Sequence, residues 1–266
     1  MDVYNPADEL DSFRVFGEGS KKSKKTHPVA EQLSKVKKSV KELEDDEDGY
    51  RPLGRISSRN ERRNRDYSYM TYNRDFFITW SVHCRKWEGG LANDPDDHGG
   101  LTNMGITIAT WKDLAPKLCN ARGTEEELKK LENWQWDKIA RNAYWEALMC
   151  DKITSEGIAC TLCDFGWGSG FYYAVYTLQV MLNKKFRGQL ELDGIIGKRT
   201  LRWLNESIIE FGEKEVLTAF TEARANFIKR CVKQGGIHPK YEVGLLNRVY
   251  DLANKFFKNS KNTQTT

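Results

Sequence analysis

The segment from Trp87 to Thr107 combines residue types that could act on a glycosidic bond. Glu88 ends an apolar helical stripe, and the Gly-Gly pair after it is a helix stop signal. Glycosidic hydrolysis needs one carboxyl group that is protonated at the working pH and a second group that holds water or stabilises charge on the sugar. The negative end of the helix dipole and the flanking indole of Trp87 both favour a protonated Glu88. Glu88 is therefore the candidate general acid.

The loop after Glu88 carries three more carboxylates and several glycines, and it has other interpretations. As an EF-hand loop starting at Asp94 it fails, because His98 and Gly105 stand where an oxygen ligand and the terminal glutamate are required. The four histidines do not cluster along the chain, so we predict no metal and no other cofactor. A surface helix end followed by a turn-rich connection is the simpler alternative, and these residues alone leave it open.

The run from Glu88 to Thr107 resembles the signature of the glycoside hydrolase family 108 N-acetylmuramidases. It contains, in order, Glu-Gly-Gly, Asn-Asp-Pro, an Asp, Gly-Gly, Thr and Gly-Ile. Two positions depart from the family pattern, with Leu91 where an aromatic residue is usual and Gly168 where an asparagine is usual. Further pieces agree in order within residues 74–257, and they include Tyr144-Trp145, Asp164 to Gly170, Asp193 to Gly197 and Leu246 to Val249.

The resemblance implies a muramidase that cleaves the bond between N-acetylmuramic acid and N-acetylglucosamine in peptidoglycan, with Glu88 as the acid. By similarity to phage lysozymes, Asp97 would orient or deprotonate the attacking water and Thr102 would help to hold it, an inverting arrangement. Asp94 is the rival of Asp97 for this role. Aromatic residues at helical spacing are core more often than sugar contacts, and both interpretations stay open for them. The predicted substrate contacts are Asn93, Asp94, Asn103, Tyr144, Trp145, Trp167, Ser169 and Tyr172.

The chain divides into a charged arm and a helical body. Residues 1–75 hold 16 basic and 15 acidic residues in alternating runs, so a core within the arm is implausible. Leu33, Val36, Val40 and Leu43 form one short amphipathic helix there, which is either a docking helix for a partner or a transient helix. The predicted regions are the arm at 1–73, a catalytic region at 74–172, a helical part implied to bind peptidoglycan at 173–258 and a tail at 259–266.

Helical periodicity dominates the body, and we predict a mainly α, lysozyme-like domain. A short β-ribbon fits between Gly99 and Ile108. The six cysteines lie mostly in apolar helical patterns, which predicts reduced, buried thiols. The predicted helices cover residues 74–88, 107–118, 124–146, 154–165, 170–184, 197–210, 213–234 and 240–257.

Composition bears on context more weakly. The net charge of +4 separates few classes of protein, no stretch has the apolar length of a membrane span, and the first residues lack the features of a signal peptide. We expect a bacteriophage virion or tail enzyme, made in the host cytoplasm and acting on the cell wall in the periplasm. Its expected partners are peptidoglycan and tail proteins bound through residues 1–73, without nucleic acid or membrane insertion. An endolysin, a lytic transglycosylase and a catalytically silent wall-binding or tail protein are the alternatives.

Overall fold

The structure, a computed structural model, describes residues 76–92 and 101–259. Several sequence predictions fall outside these residues, so they stay predictions. They concern the charged arm, its amphipathic helix, most of the C-terminal tail, and the loop residues Asn93, Asp94 and Asp97.

Helices make up most of the described chain, and the mainly α prediction is confirmed. A two-stranded antiparallel ribbon of β1 (Thr102–Asn103) and β2 (Ile106–Thr107) stands where the ribbon was predicted. The α-helices are α1 (Phe76–Trp87), α2 (Ile108–Leu118), α3 (Glu125–Lys129), α4 (Asn133–Ala140), α5 (Glu156–Ser169), α6 (Phe171–Lys185), α7 (Lys198–Phe211), α8 (Glu213–Lys233) and α9 (Glu242–Asn259). Shorter turns are a π-helix at Arg141–Trp145 and 3-10 helices at Cys150–Lys152 and Pro239–Tyr241.

One predicted helix, over residues 124–146, is broken in two. Thr124 begins α3 with a capping box that Glu127 completes. Glu132 begins α4, and its N–H donates to the Gln135 side chain at 3.0 Å. Because each arrangement satisfies N–H groups that are free only at a helix start, the chain starts two helices where the apolar pattern suggested one.

The central element is α5, which packs against α1, α6, α8 and α9. Two glycines in it allow close approach of the neighbouring elements. A Cβ at Gly157 would lie 2.8 Å from Cδ2 of Leu217, and one at Gly166 would lie 2.7 Å from Cδ1 of Leu148. Since real Cβ atoms do not come so near, larger residues would push these elements apart.

One hydrophobic core runs through the described body, from Phe77 in α1 to Leu252 in α9. The predicted boundary after residue 172 falls inside α6, and both sides of it contribute to this core. The division into a catalytic part and a wall-binding part therefore stays a functional prediction. All six cysteines are buried and unpaired, as predicted. Within residues 76–92 and 101–259, no helix has the length and apolar character to cross a membrane.

Candidate active site

Glu88 lies one turn beyond the buried stripe of α1. Phe77, Trp80 and Cys84 form that stripe, and Glu88 follows Cys84 by four residues, so it lies on the same helix face. The N–H of Glu88 still donates to the carbonyl of Cys84 at 3.0 Å. The side chain therefore turns inward, and 15% of it is exposed. The predicted helix end at this residue is confirmed.

One carboxyl oxygen of Glu88 is held by two donors. Nη1 of Arg248 in α9 lies 2.7 Å from Oε1, and Nε1 of Trp167 in α5 donates to the same oxygen at 2.9 Å. The thiol of Cys84 lies 3.8 Å from it. Oε2 accepts no hydrogen bond from any residue in the described part of the chain. Among the described residues, Oε1 is therefore anchored by donors and Oε2 is not.

The turn of the β-ribbon lies against Oε2 of Glu88. Met104 and Gly105 form its two-residue turn, with φ values of 50° and 77°. Positive φ at both positions is the pattern of a type I′ hairpin turn. A Cβ at Gly105 would lie 2.4 Å from Oε2 of Glu88 and 3.0 Å from Cζ2 of Trp167. Glycine is therefore required here both for its backbone conformation and for the space that Glu88 occupies.

A buried charged cluster lies behind Glu88. Asp164 in α5 is fully buried and accepts from Nη2 of Arg224 in α8 at 2.7 Å and from Nη2 of Arg248 at 2.8 Å. Burial raises the pKa of Asp164, but the two guanidinium groups outweigh burial and hold that pKa well below its usual range. Asp164 thus pairs with both guanidinium groups, and one of these, that of Arg248, also binds Glu88. Buried charges persist when they are paired in this way.

Sequence reasoning did not assign a role to Arg224, Arg248 or Asp164. A signal was available for one of them, because Asp164 interrupts the apolar run of α5. A charged residue on a buried helix face requires a buried partner. Which partner it has depends on tertiary packing, since Glu88 and Arg248 are 160 residues apart. In the described residues, no three His, Cys, Asp or Glu side chains are grouped to hold a metal ion.

An aromatic wall lies on the other side of Glu88. The Trp167 ring centroid is 4.5 Å from that of Tyr144, 5.2 Å from that of Trp136 and 5.8 Å from that of Trp80. Tyr144 belongs to the π-helix, a form that occurs often at functional sites. Burial raises the pKa of the Tyr144 hydroxyl well above its ordinary value, so it stays neutral. The indole against the carboxyl is thus that of Trp167, whereas the N–H of Trp87 donates to Asp251 at 3.0 Å.

Two predicted substrate contacts have interior positions. Trp145 is fully buried, and its N–H donates to Oδ1 of Asp151 at 2.7 Å. Asn103 is buried in β1, and its amide donates to the carbonyl of Leu128 at 2.8 Å. Both side chains are buried, and this burial does not support the predicted contact with substrate, which stays a prediction. Both side chains instead make hydrogen bonds inside the protein.

The other predicted residues in the described chain lie closer to the surface. Thr102 in β1 pairs its backbone with Ala92, with hydrogen bonds of 2.8 Å in both directions. Ser169 is partly buried at the end of α5. Tyr172 is 44% exposed and stacks on Tyr176 with ring centroids 5.6 Å apart. The structure brings Trp167 and Tyr144 together with Glu88, while the roles of Thr102, Ser169 and Tyr172 stay predictions.

The candidate site is thus a partly exposed carboxyl group between an aromatic wall and a paired charge cluster, on a mainly helical domain. One segment of the chain matches a known protein family. Residues 82–170 match the family model described as Glycosyl hydrolase 108, which supports a glycosidase. This segment contains Glu88, Asp164 and Trp167 and ends before α8 and α9.

Similarity to a solved structure covers more of the chain than the family match does. SagA from Brucella abortus is similar to this chain with a TM-score of 0.55 and 25% sequence identity, over 71% of this chain and 98% of that chain. No curated protein matches the sequence. The similarity to SagA extends beyond the length of the family match and so includes more than the segment around Glu88.

Proposed function

We propose that this protein is a peptidoglycan hydrolase, an N-acetylmuramidase in which Glu88 is the general acid. The observation that carries the proposal is the asymmetric carboxyl group of Glu88, with Oε1 anchored by two donors and Oε2 lying against the ribbon turn with no donor among the described residues. The match of residues 82–170 to the Glycosyl hydrolase 108 model supports the reaction class. The family resemblance of the Glu88–Thr107 run supports the choice of substrate.

In the proposed reaction, Glu88 protonates the oxygen that links N-acetylmuramic acid to N-acetylglucosamine. The bond from the anomeric carbon to that oxygen breaks, and the leaving sugar keeps the proton. A water held by Asp97 and Thr102 attacks the anomeric carbon from the opposite face, and Asp97 takes the proton that the water loses. The product has an inverted anomeric configuration and a new reducing end.

The test is Glu88→Gln assayed on purified sacculi by release of reducing ends. Glutamine keeps an oxygen that can accept from Arg248 and Trp167 but cannot donate a proton as an acid does, so the fold is retained and turnover falls about 100- to 10,000-fold. Glu146→Gln, at an exposed position of the same region, is the matched control and keeps full activity. Wild-type turnover in Glu88→Gln would end the proposal. Mass spectrometry of the products separates a hydrolase, with reducing ends, from a lytic transglycosylase, with 1,6-anhydro ends.

We also propose that the enzyme is a component of a bacteriophage tail that opens the wall during entry. The charged composition of residues 1–73, which suits docking on a larger assembly better than folding alone, supports this context. Mass spectrometry of purified particles tests it. A fixed number of copies per particle is expected, and absence from particles would favour an endolysin.

A further inference from the structure

The guanidinium of Arg248 is the link between the candidate acid and the buried charge cluster. Its Nη1 lies 2.7 Å from Oε1 of Glu88, and its Nε and Nη2 lie 3.1 Å and 2.8 Å from the two carboxylate oxygens of Asp164. The side chain of Arg248 is 12% exposed. One planar group therefore spans both carboxylates, a geometry that a guanidinium can satisfy and an ammonium cannot.

Asp164 fixes the position of that guanidinium. It is fully buried, and Arg224 binds it from α8 through both its Oδ2 and its backbone carbonyl, at 2.7 Å and 3.3 Å. Arg248 also contacts Sγ of Cys84 at 3.3 Å, which limits its movement toward α1. Asp164 belongs to the central helix α5 and Arg248 to α9. The position of the Glu88 carboxyl therefore depends on how α9 packs against α5.

The arrangement also decides where a proton can reside on Glu88. Oε1 accepts two N–H bonds, from Arg248 and Trp167, and an oxygen occupied in this way is a poor site for a hydroxyl hydrogen. The proton of the acid therefore belongs on Oε2, which lies against the ribbon turn. Without Arg248 the carboxyl could rotate and present either oxygen, and fewer encounters with a glycan would place the proton correctly.

We propose that Arg248 is a positioning residue of the active site, which holds Glu88 with its proton on Oε2, and that the C-terminal helix α9 is thereby part of the catalytic apparatus. This inference rests on the proposed function of Glu88. It gives a role to a residue outside the segment that matches the glycosidase family model. Residues 173–258 would then contribute to the active site as well as to any binding of the cell wall.

The test compares Arg248→Ala with the matched variant Arg230→Ala, which removes a guanidinium from an exposed position of α8. For Arg248→Ala we expect kcat to fall about 100-fold with KM unchanged, because substrate contacts remain while the acid is misplaced. Guanidinium ion added at millimolar concentration fills the space left by the side chain and restores part of kcat. Arg230→Ala keeps wild-type kcat and does not respond to guanidinium.

Rescue distinguishes positioning from a purely structural role, since a distorted fold is not repaired by a small cation. Wild-type kcat in Arg248→Ala, or a loss that guanidinium does not reduce, would overturn the inference. If Arg248→Ala shows no cooperative thermal transition, Arg248→Lys replaces it. The lysine keeps the charge but reaches one carboxylate at a time, so we expect a folded protein with kcat about tenfold lower and KM unchanged. Wild-type kcat in a folded Arg248→Lys would overturn the inference as well.

Glu88→Gln distinguishes failure of the proposed acid role of Glu88 from failure of the positioning role of Arg248. If Glu88→Gln is inactive while Arg248→Ala behaves as wild type, the positioning role fails and the function of Glu88 stands. If Glu88→Gln retains activity, the proposed function fails, and the role of Arg248 fails with it.

Discussion

The two sides of Glu88 differ in chemistry and in their origin along the chain. On one side, Trp167 packs on Tyr144 and Trp136, all from the segment that matches the Glycosyl hydrolase 108 model. On the other side, Arg224 comes from α8 and Arg248 from α9, both outside that segment. The part of the sequence that indicates a glycosidase therefore supplies the candidate acid and its aromatic wall, while half of the charged side comes from elsewhere.

The two sides also respond differently to change. Ring packing is neutral, and its contribution grows with the buried area, so a smaller ring loses part of it. The charged side depends on balance, because each buried charge is tolerated through its partner and the loss of one leaves another unpaired. Changes on the charged side should therefore affect stability and, through Arg248, the position of Glu88, whereas changes on the aromatic side should act mainly on the position of Glu88.

The largest effect is expected from Asp164→Asn. This substitution keeps the shape of the side chain but leaves Arg224 and Arg248 without their shared carboxylate, so the free energy of unfolding should fall by about 3 to 5 kcal/mol. Urea denaturation followed by circular dichroism measures it. Asp251→Asn is the control, since Asp251 is 35% exposed and pairs with Lys86 at the surface, where an ion pair contributes about 0 to 1 kcal/mol. Equal losses of unfolding free energy in the two variants would show that pairing in the buried cluster contributes no more than a surface ion pair.

The sequence predicted the helical elements because each has an apolar stripe of its own. The end of α1 at Glu88 was also a local feature, visible as a Gly-Gly stop, and the short ribbon lies within the predicted range of Gly99 to Ile108. The break before α4 was missed since capping by Glu132 is a detail that periodicity does not contain. The role of Arg248 was out of reach, because it depends on how α9 packs against α1 and α5.

The interior positions of Trp145 and Asn103 show a second limit of the sequence. A motif identifies residues that belong to a site region, but it does not tell which of them face the substrate and which support the others. Trp145 lies next to Tyr144 in the π-helix, yet its indole donates to Asp151 in the interior while Tyr144 packs on Trp167. Both residues are buried, so the partners that packing gives them, and not burial alone, distinguish their surroundings.

His83 gives the charged side a dependence on pH. It is fully buried, neither ring nitrogen has a hydrogen-bond partner among the described residues, and burial lowers its pKa to about 4 from 6.5. As pH falls from 6.5 to 4 the unfolded chain takes up a proton that the folded protein refuses. Stability should therefore decrease across that window and level off below it, by about 3 kcal/mol from this residue.

Comparing His83→Met with wild type isolates this contribution from that of the carboxylates. The difference in unfolding free energy between pH 7 and pH 4.5 should be smaller in His83→Met by about 2 kcal/mol. His238→Gln, which changes an exposed histidine, is the control and should follow the wild-type dependence. The same pH dependence in wild type and His83→Met would show that the pKa of His83 is not lowered by folding.

The smallest expected effect, and the one that isolates the aromatic side, comes from Trp167→Phe. Phenylalanine keeps much of the packing against Tyr144 but has no N–H for Oε1 of Glu88, which then keeps only Arg248 and the distant Cys84 thiol as donors. We expect kcat on peptidoglycan to fall about tenfold with little change in KM, because one of the two contacts that orient the acid is lost. Trp203→Phe removes an indole that donates to the carbonyl of Phe186, away from Glu88, and should leave kcat unchanged. A rise in KM without loss of kcat in Trp167→Phe would instead indicate that its ring binds the glycan, which was the role that the sequence suggested.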